Sequence, residues 1–525
     1  MNLYEHIKED TNFKYTENGA VTHKSTLDNV LDMFAMGGAY RNRTDKEVEE
    51  LFGDAYRQDK ELALKCLFYL RDCRGGQGER RFFRVAYKWL CHNDPSIAYK
   101  FLSYIPEYGR WDDLIDIGYS CAGTVSVAND GHIYSIANKV INIIANQMDL
   151  DNVSKTPSLL AKWMPSENAS SAKTKAKARW IINNIGITPK EYRLRLSSIR
   201  KKINVLERLM SENRWDEIEF DKIPSIAGMR YRNVFAVKEV TAARYKAFME
   251  SKTTKVNASV LNPVDIANKV INNTYISGWW KESTDIKVTF KQVEIDALCK
   301  YWDNLKDYYQ GKEENAIAVV DVSGSMTGQP IAAAVGMGAY VATKSHGPFA
   351  NHFITFSDNP ELVEFEGDNI VDKIARCITA DWGYSTNIEA VMDLLLDTAV
   401  KHNIPQSDLP ARLYIFSDME FNRCVNMPNY LTYETLFESI ERKWNEAGYE
   451  MPTITFWNLD SRQDNISAIG DKFNYISGFS MSQMEAVMAG KTAVDMMLEV
   501  LLSERYADIR VYEQLGASTI ACSEN

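Results

Sequence analysis

The chain has 525 residues, of which 45% are hydrophobic and 25% charged, and a formal net charge of −11. That length is too great for one ordinary core, so two or more domains are expected. The apolar runs are too short to span a bilayer, the first twenty residues lack the basic-then-apolar order of a secretory signal, and the eight cysteines are scattered with no CxxC pair. Together these predict a cytoplasmic protein with reduced thiols and no membrane association, and they argue against structural zinc.

The first 310 residues read as helix after helix. "TDKEVEELFGDAYRQDKELALKCLFYLRDCRG" carries apolar residues at three- and four-residue spacing, and "RRFFRVAYKWLCHN", "PSIAYKFLSYIP", "WDDLIDIGYS" and "IANKVINIIANQMDL" repeat the style. Pro95, Pro106, Pro189 and Pro263 punctuate the joints. Without a strict repeat period, stacked helix pairs of irregular length fit best, in the manner of a HEAT-like α-helical repeat.

Within this half lies a charge anomaly. Residues 155–202 hold twelve basic residues and only two acids. Among them are Lys162, Lys173, Lys175, Lys177, Arg179, Arg193, Arg195, Arg200, Lys201 and Lys202. Such a cluster suits a polyanion contacted through its phosphates, without sequence reading; charge alone favours a solvated helical face. Trp163, Trp180 and Tyr192 lie among these charges, as stacking platforms for bases or as core. The glycines of "RGGQGERR" mark either a basic loop or a helix–helix joint with a left-handed residue.

From about residue 312 the pattern changes. Short β-branched and aromatic runs, "AIAVVDVS", "HFITFSD", "ELVEF", "ARLYIFSDM", "TITFWNLD" and "FNYISGFS", alternate with helical stretches. That alternation predicts a mainly parallel, doubly wound α/β sheet for residues 311–525, with a helical domain in 1–310. The charge changes with it: residues 311–525 hold 14 Lys and Arg against 31 Asp and Glu, whereas residues 1–310 hold 46 against 40.

In such sheets ligands bind at the carboxyl ends of the strands. There the run "AIAVVDVSGSM" ends in Asp321, Ser323 and Ser325, "ARLYIFSD" ends in Asp418, and Thr386 sits in the polar loop "DWGYSTN". Two carboxylates and three hydroxyls are hard oxygen donors, suited to Mg²⁺, or Mn²⁺ or Ca²⁺ in its place, rather than zinc or copper. So few charges leave a coordination position for a partner's oxygen, at a site expected on the surface. The competing reading is that these residues only cap turns and helices.

The order and spacing of Asp321-Val-Ser323-Gly-Ser325, Thr386 and Asp418 resemble the metal-ion-dependent adhesion site (MIDAS) of von Willebrand factor A domains. With "WGYSTN", "FSDMEF", "GYEMPTITFWNL" and "SGFS", the C-terminal half is similar to the A domain of a family found in plants, bacteria and large phages. Its layout is similar to that of the Ro autoantigen, which joins TROVE helical repeats to an A domain; "RDCRGGQGERRFF" and "PEYGRWDDL" resemble the helical part. The resemblance implies a ring of helices that binds RNA in a ribonucleoprotein, with single-stranded ends in a basic channel and structured RNA outside, bridged by an A domain carrying a divalent cation. It makes segment 155–202 the candidate for that channel and implies a protein partner that supplies a carboxylate to the ion. No DNA specificity is expected.

No enzyme is expected. The chain has no Walker loop ending in Lys-Ser/Thr and no G-x-S-x-G elbow, and its seven histidines form no cluster along the sequence. Glu420 is the one spare carboxylate near the oxygen set that could serve as a base. Two alternatives stay open: an RNA-independent protein scaffold acting through the metal site, and a Mg²⁺-dependent hydrolase.

Overall fold

In the computed structural model, the described residues are 12–127, 131–203, 206–277, 285–378, 385–423 and 435–511. The first eleven residues of the stretch read for a signal, Asp381–Tyr384 of the loop before Thr386, Cys424 and Cys522 lie outside them.

Helices dominate up to Asp303, and their boundaries follow local chemistry. Thr44 and Glu47 form a capping box on Asp45–Gln58. Asp59 caps Lys60–Arg71, and Asp94 with Pro95 starts Pro95–Phe101. Consecutive helices pack in pairs, as in 45–58 on 60–71, 60–71 on 80–93, 111–120 on 136–153 and 225–237 on 239–250. The glycine run joins 60–71 to 80–93. Gly78 has φ +67°, and a Cβ on Gly76 would lie 2.0 Å from the Tyr69 carbonyl, so the joint reading holds there. "SSAKTKAKARW" is the start of a helix, Ala172–Ile185, capped by Ser171.

The C-terminal half forms a six-stranded mixed sheet. Its strands are β1 (Ala316–Val320), β2 (His352–Thr355), β3 (Leu362–Glu364), β4 (Arg412–Ser417), β5 (Thr453–Asn458) and β6 (Phe473–Ser477). The order is β6-β5-β4-β1-β2-β3, with every pair parallel except β2–β3. β1, β4 and β6 are buried along their whole length, which accounts for their unbroken apolar character. Chain direction across the sheet reverses between β1 and β4, so these neighbours flank the switch point.

The two halves touch at both ends of the helical part. Near its start, helix Asn29–Met36 packs on β6, and helices 60–71 and 29–36 receive the C-terminal helix Ala493–Leu501. Arg505 pairs with buried Asp72 at 2.8 Å, and the Tyr108 hydroxyl donates to the Arg505 carbonyl. Near its end, helix Pro263–Ile271 lies on Gln329–Lys344. A Cβ on Gly336 would stand 2.9 Å from the Pro263 carbonyl, so the absence of a side chain sets that approach. The helical half thus leaves the sheet domain on one side and returns to it on another. One hydrophobic core runs through both.

Candidate functional site

The register of β1 and β4 builds the oxygen site. Val320 pairs with Phe416, so Asp321 and Ser417 come next, side by side. The Asp321 amide donates to the Phe416 carbonyl at 3.1 Å, and the Ser417 hydroxyl donates to Asp321 Oδ2 at 2.6 Å. Asp321 Oδ1 accepts the Ser323 amide at 2.8 Å, and the Ser323 and Ser325 hydroxyls lie 3.0 Å apart. Asp418 follows β4 directly. Its Oδ1 accepts the Glu420 amide at 3.2 Å, while its Oδ2 is buried without a hydrogen-bond partner. The Thr386 hydroxyl donates to the Glu420 carbonyl at 2.7 Å and lies 3.1 Å from Asn422 Oδ1.

Against the expectation of a surface site, Asp321, Ser323, Thr386 and Asp418 are all buried. The strands that lead into the site are buried along their whole length, so their ends sink deeper than a loop motif suggests. Burial raises the pKa of Asp321, and burial together with the nearby Asp321 charge raises that of Asp418 to about 7. Among the described residues, the largest influences on either carboxylate include no cationic side chain. An orphaned buried oxygen, two uncompensated carboxylates and adjoining hydroxyls fit a hard divalent cation. Among the described residues, no three His, Cys, Asp or Glu side chains gather as a metal cluster, so the set depends on its hydroxyls.

Sequence reasoning missed four residues around this set: Ser417, Asn18, Asn422 and Asn465. Ser417 is visible in "FSDMEF"; the others come from segments remote in sequence. Glu420 is held at both carboxylate oxygens. Its Oε2 accepts the Glu17 amide at 2.6 Å and its Oε1 accepts Asn465 Nδ2 at 2.7 Å, so both oxygens are engaged.

A second feature lies within the helical half. A cavity of about 1020 Å³ is walled by the glycine joint, the 103–111 turn, parts of 143–163, residues 224–226, 259–265 and 306–308, and Ser480 and Ser482 of the sheet domain. Its cations are Arg71, Arg74, Arg80, Arg110 and Lys306, against Glu107 and Asp265. The Arg110 guanidinium lies 4.8 Å from the Trp163 ring centroid, and Lys306 Nζ lies 4.4 Å from that of Tyr308. Arg71 is neutralised in the wall, its NH2 2.6 Å from Asp113 Oδ2; Arg84 holds the other oxygen of Asp113 at 2.7 Å.

None of the ten basic residues singled out from segment 155–202 lines this cavity; that segment contributes Ser158, Leu159 and Trp163. Lys162, Arg193, Arg200 and Lys201 line a separate groove of about 640 Å³, together with Glu167, Glu207 and Glu212. Lys177 pairs with Asp116 at 2.5 Å, Arg195 with Asp149 at 2.9 Å, and Arg193 with Glu167. Arg200 Nε donates to the Ala161 carbonyl, and Lys202 Nζ to those of Asn152 and Ser154. Lys173 and Arg179 are exposed. Tyr192 is core, with its hydroxyl on the Pro165 carbonyl, and Trp180 packs edge-on to Tyr119.

These features define a class: a helical half tied at both ends to a domain with a six-stranded mixed sheet, with an oxygen-lined switch point and a basic cavity. The chain matches the family Domain of unknown function (DUF7788) over residues 315–514 and Domain of unknown function (DUF2828) over 16–139 and 183–308. An uncharacterized protein of Acanthamoeba polyphaga mimivirus is 30% identical, covering 93% of this chain and 87% of its own length. The chain belongs to the family of that mimivirus protein. Among solved structures, the Ro (RSR) protein of Deinococcus radiodurans aligns over 91% of this chain and 99% of its own, with 14% identity and a TM-score of 0.45. Among the described residues, no helix is long and apolar enough to cross a membrane.

Proposed function

We propose that this protein is a Ro-like RNA-binding protein whose helical cavity receives a single-stranded RNA segment. Its sheet domain, of von Willebrand factor A type, holds a divalent cation for protein recruitment. The observation that carries the RNA reading is the cavity wall. Arg74, Arg80, Arg110 and Lys306 surround it alongside Trp111, Trp163 and Tyr308, which is the pairing of phosphate-neutralising charge and stacking faces that unstructured strands require. The chain is acidic overall, but the Debye length of about 8 Å at physiological salt keeps distant acids from cancelling this local charge. At the switch point, Asp321, Ser323, Ser325, Thr386 and Asp418 would hold Mg²⁺ or Mn²⁺. The ion would supply a position for a partner's carboxylate. We assign no catalytic step, since the carboxylate nearest the oxygen set, Glu420, is committed to the Glu17 amide and Asn465.

The test is binding of a fluorescent single-stranded RNA over a salt series. With four phosphates neutralised, log affinity should fall with log salt at a slope of roughly −3. The triple variant Arg74→Ala, Arg110→Ala, Lys306→Ala should flatten that slope by about 2 and weaken unrelated sequences alike. Salt-independent binding, or a slope untouched by the triple variant, overturns the cavity assignment.

A further inference from the structure

Residues 12–24 precede helix Asn29–Met36 and form a hairpin, with strands Phe13–Tyr15 and Val21–His23. Its partners lie some four hundred residues away, in the sheet domain. The Thr16 hydroxyl donates to the Phe421 carbonyl at 2.7 Å, and the Arg423 amide donates to the Asn18 carbonyl at 3.2 Å. The His23 and Ile466 backbones exchange hydrogen bonds at 3.0 Å, and Glu17 pairs with Arg462 at 2.9 Å. The hairpin is a strap laid across the carboxyl end of β4.

Its tip reaches the oxygen site. Asn18 Nδ2 donates to the Glu420 carbonyl at 2.6 Å and lies 3.1 Å from Thr386 Oγ1. A threonine hydroxyl has one hydrogen and two lone pairs. With its hydrogen given to the Glu420 carbonyl and one lone pair taken by Asn18, Thr386 Oγ1 keeps one lone pair for a further electrophile. Asn18 therefore fixes both the rotamer of Thr386 and the peptide to which that hydroxyl is tied. The strap leads directly into helix Asn29–Met36, which packs on β6 and on the helical half's own 45–58 helix.

We propose that Asn18 is a positioning residue of the cation site, and that docking of the N-terminal strap and loading of the site are thermodynamically linked. The proposal rests on the reading of Asp321, Ser323, Ser325, Thr386 and Asp418 as a cation site, and extends it by making the strap part of that site. If the docked strap pre-sets Thr386, the ion binds better to the docked form, and by reciprocity the ion strengthens docking by the same factor. A signal at the sheet edge thereby reaches the helical half through covalently continuous chain.

The test uses the full chain and Mn²⁺ as probe, with affinity read by electron paramagnetic resonance of the free ion. Asn18→Ala should weaken Mn²⁺ roughly fivefold, the size of one lost hydrogen-bonding role. Glu17→Gln, which removes the Arg462 ion pair but keeps the Glu17 amide and Asn18, should leave it unchanged. Mn²⁺ should also slow amide exchange at Glu17 and Arg423 in the wild-type chain and not in Asp321→Asn. Wild-type affinity in Asn18→Ala, together with strap exchange indifferent to Mn²⁺, overturns the linkage while leaving the site intact. An equal loss in Glu17→Gln overturns the specific role of Asn18, since general loosening would then suffice. Mn²⁺ binding that survives Asp321→Asn overturns the cation-site reading itself, and the linkage with it.

Discussion

The two halves of the molecule treat buried carboxylates in opposite ways. In the wall of the helical cavity, Asp113 is fully buried and held by Arg71 on one oxygen and Arg84 on the other, with the Arg110 amide added at 2.9 Å. At the sheet edge, Asp321 and Asp418 are buried side by side with only hydroxyl and amide donors, and one oxygen of Asp418 has none. The first arrangement is electrostatically complete within the chain, and the second is not. A completed network stiffens a wall, while the cavity's other cations keep partly exposed partners, as Arg80 does in Asp112 at 3.6 Å and Lys306 in Glu485 at 3.3 Å, which an arriving phosphate can displace. An incomplete one stores repulsion that an arriving cation relieves. The difference separates a carboxylate that supports a site from carboxylates that constitute one.

The largest effect expected is therefore in the completed network. Asp113→Ala leaves Arg71 buried without its partner, takes one partner from Arg84, which keeps Asp112 at 2.9 Å, and loosens the Arg110 turn. Unfolding by urea should show a loss of about 3–5 kcal/mol. A loss under about 1 kcal/mol would mean that the wall is held by packing alone and that the contrast fails.

Asp32 sharpens the comparison as a third case, since it has a full set of donors but no ion pair among the described residues. Its oxygens accept from the Thr26 amide and hydroxyl at 2.7 Å each and from the Ser25 hydroxyl. Burial nevertheless raises its pKa to about 6. A folded pKa above the unfolded value means that stability is fully present below about pH 4 and is lost as pH rises through about 6. A rise of about two in pKa corresponds to about 3 kcal/mol across that window. Asp32→Asn should flatten the stability profile between pH 4 and 7. Mg²⁺ should leave this titration untouched, because no orphan oxygen waits there.

The legibility of the two regions differs for a related reason. The oxygen set was readable because each member ends a strand or opens a loop, and strand ends converge by topology: five letters and their apolar prefix suffice to place Asp321 beside β4. The strap was invisible, because three short-range residues, Glu17, Asn18 and Gly19, carry no pattern and acquire meaning only against Glu420 and Asn422. The cavity was illegible for the opposite reason. Charge density along the sequence drew attention to 155–202, yet a cavity between packed helices gathers its lining from many segments far apart in sequence. Arg74 was noticed within the glycine joint, but Arg110 and Lys306 stand among ordinary surface charges in the sequence. Several cations of the dense segment are spent on local partners, as Lys177 is on Asp116 and Arg195 on Asp149 and Glu191.

RNA binding can break or sharpen this second contrast. The exposed or half-exposed Lys173, Lys175 and Arg179 carry no ion pair among the described residues and are free to meet an outer RNA surface. Their joint replacement by Ala should cost a single-stranded oligonucleotide less than the Arg74, Arg110, Lys306 triple, by about one or more in salt slope. For a structured RNA the order should invert. Equal effects on both ligands would mean that the two basic regions form one continuous path.

The smallest effect is expected where the sequence signal was strongest. Asp321→Asn removes one of two repelling charges but keeps an oxygen for the Ser323 amide or the Ser417 hydroxyl, and Ser417 can rotate to accept instead. Relief of repulsion and partial loss of hydrogen bonding oppose each other, so metal-free stability should move by less than about 1 kcal/mol. The wild-type chain, by contrast, should gain about 2.7 kcal/mol in Mg²⁺ at a hundred times its dissociation constant, and Asp321→Asn should gain none. The same substitution is then nearly silent without the ion and decisive with it, a pattern a purely structural carboxylate cannot give. Asp113 supplies the reference: its replacement should be equally damaging with and without Mg²⁺. If Asp321→Asn destabilises the metal-free chain as severely as Asp113→Ala, the sheet-edge carboxylates are structural caps, and the distinction between the two regions disappears.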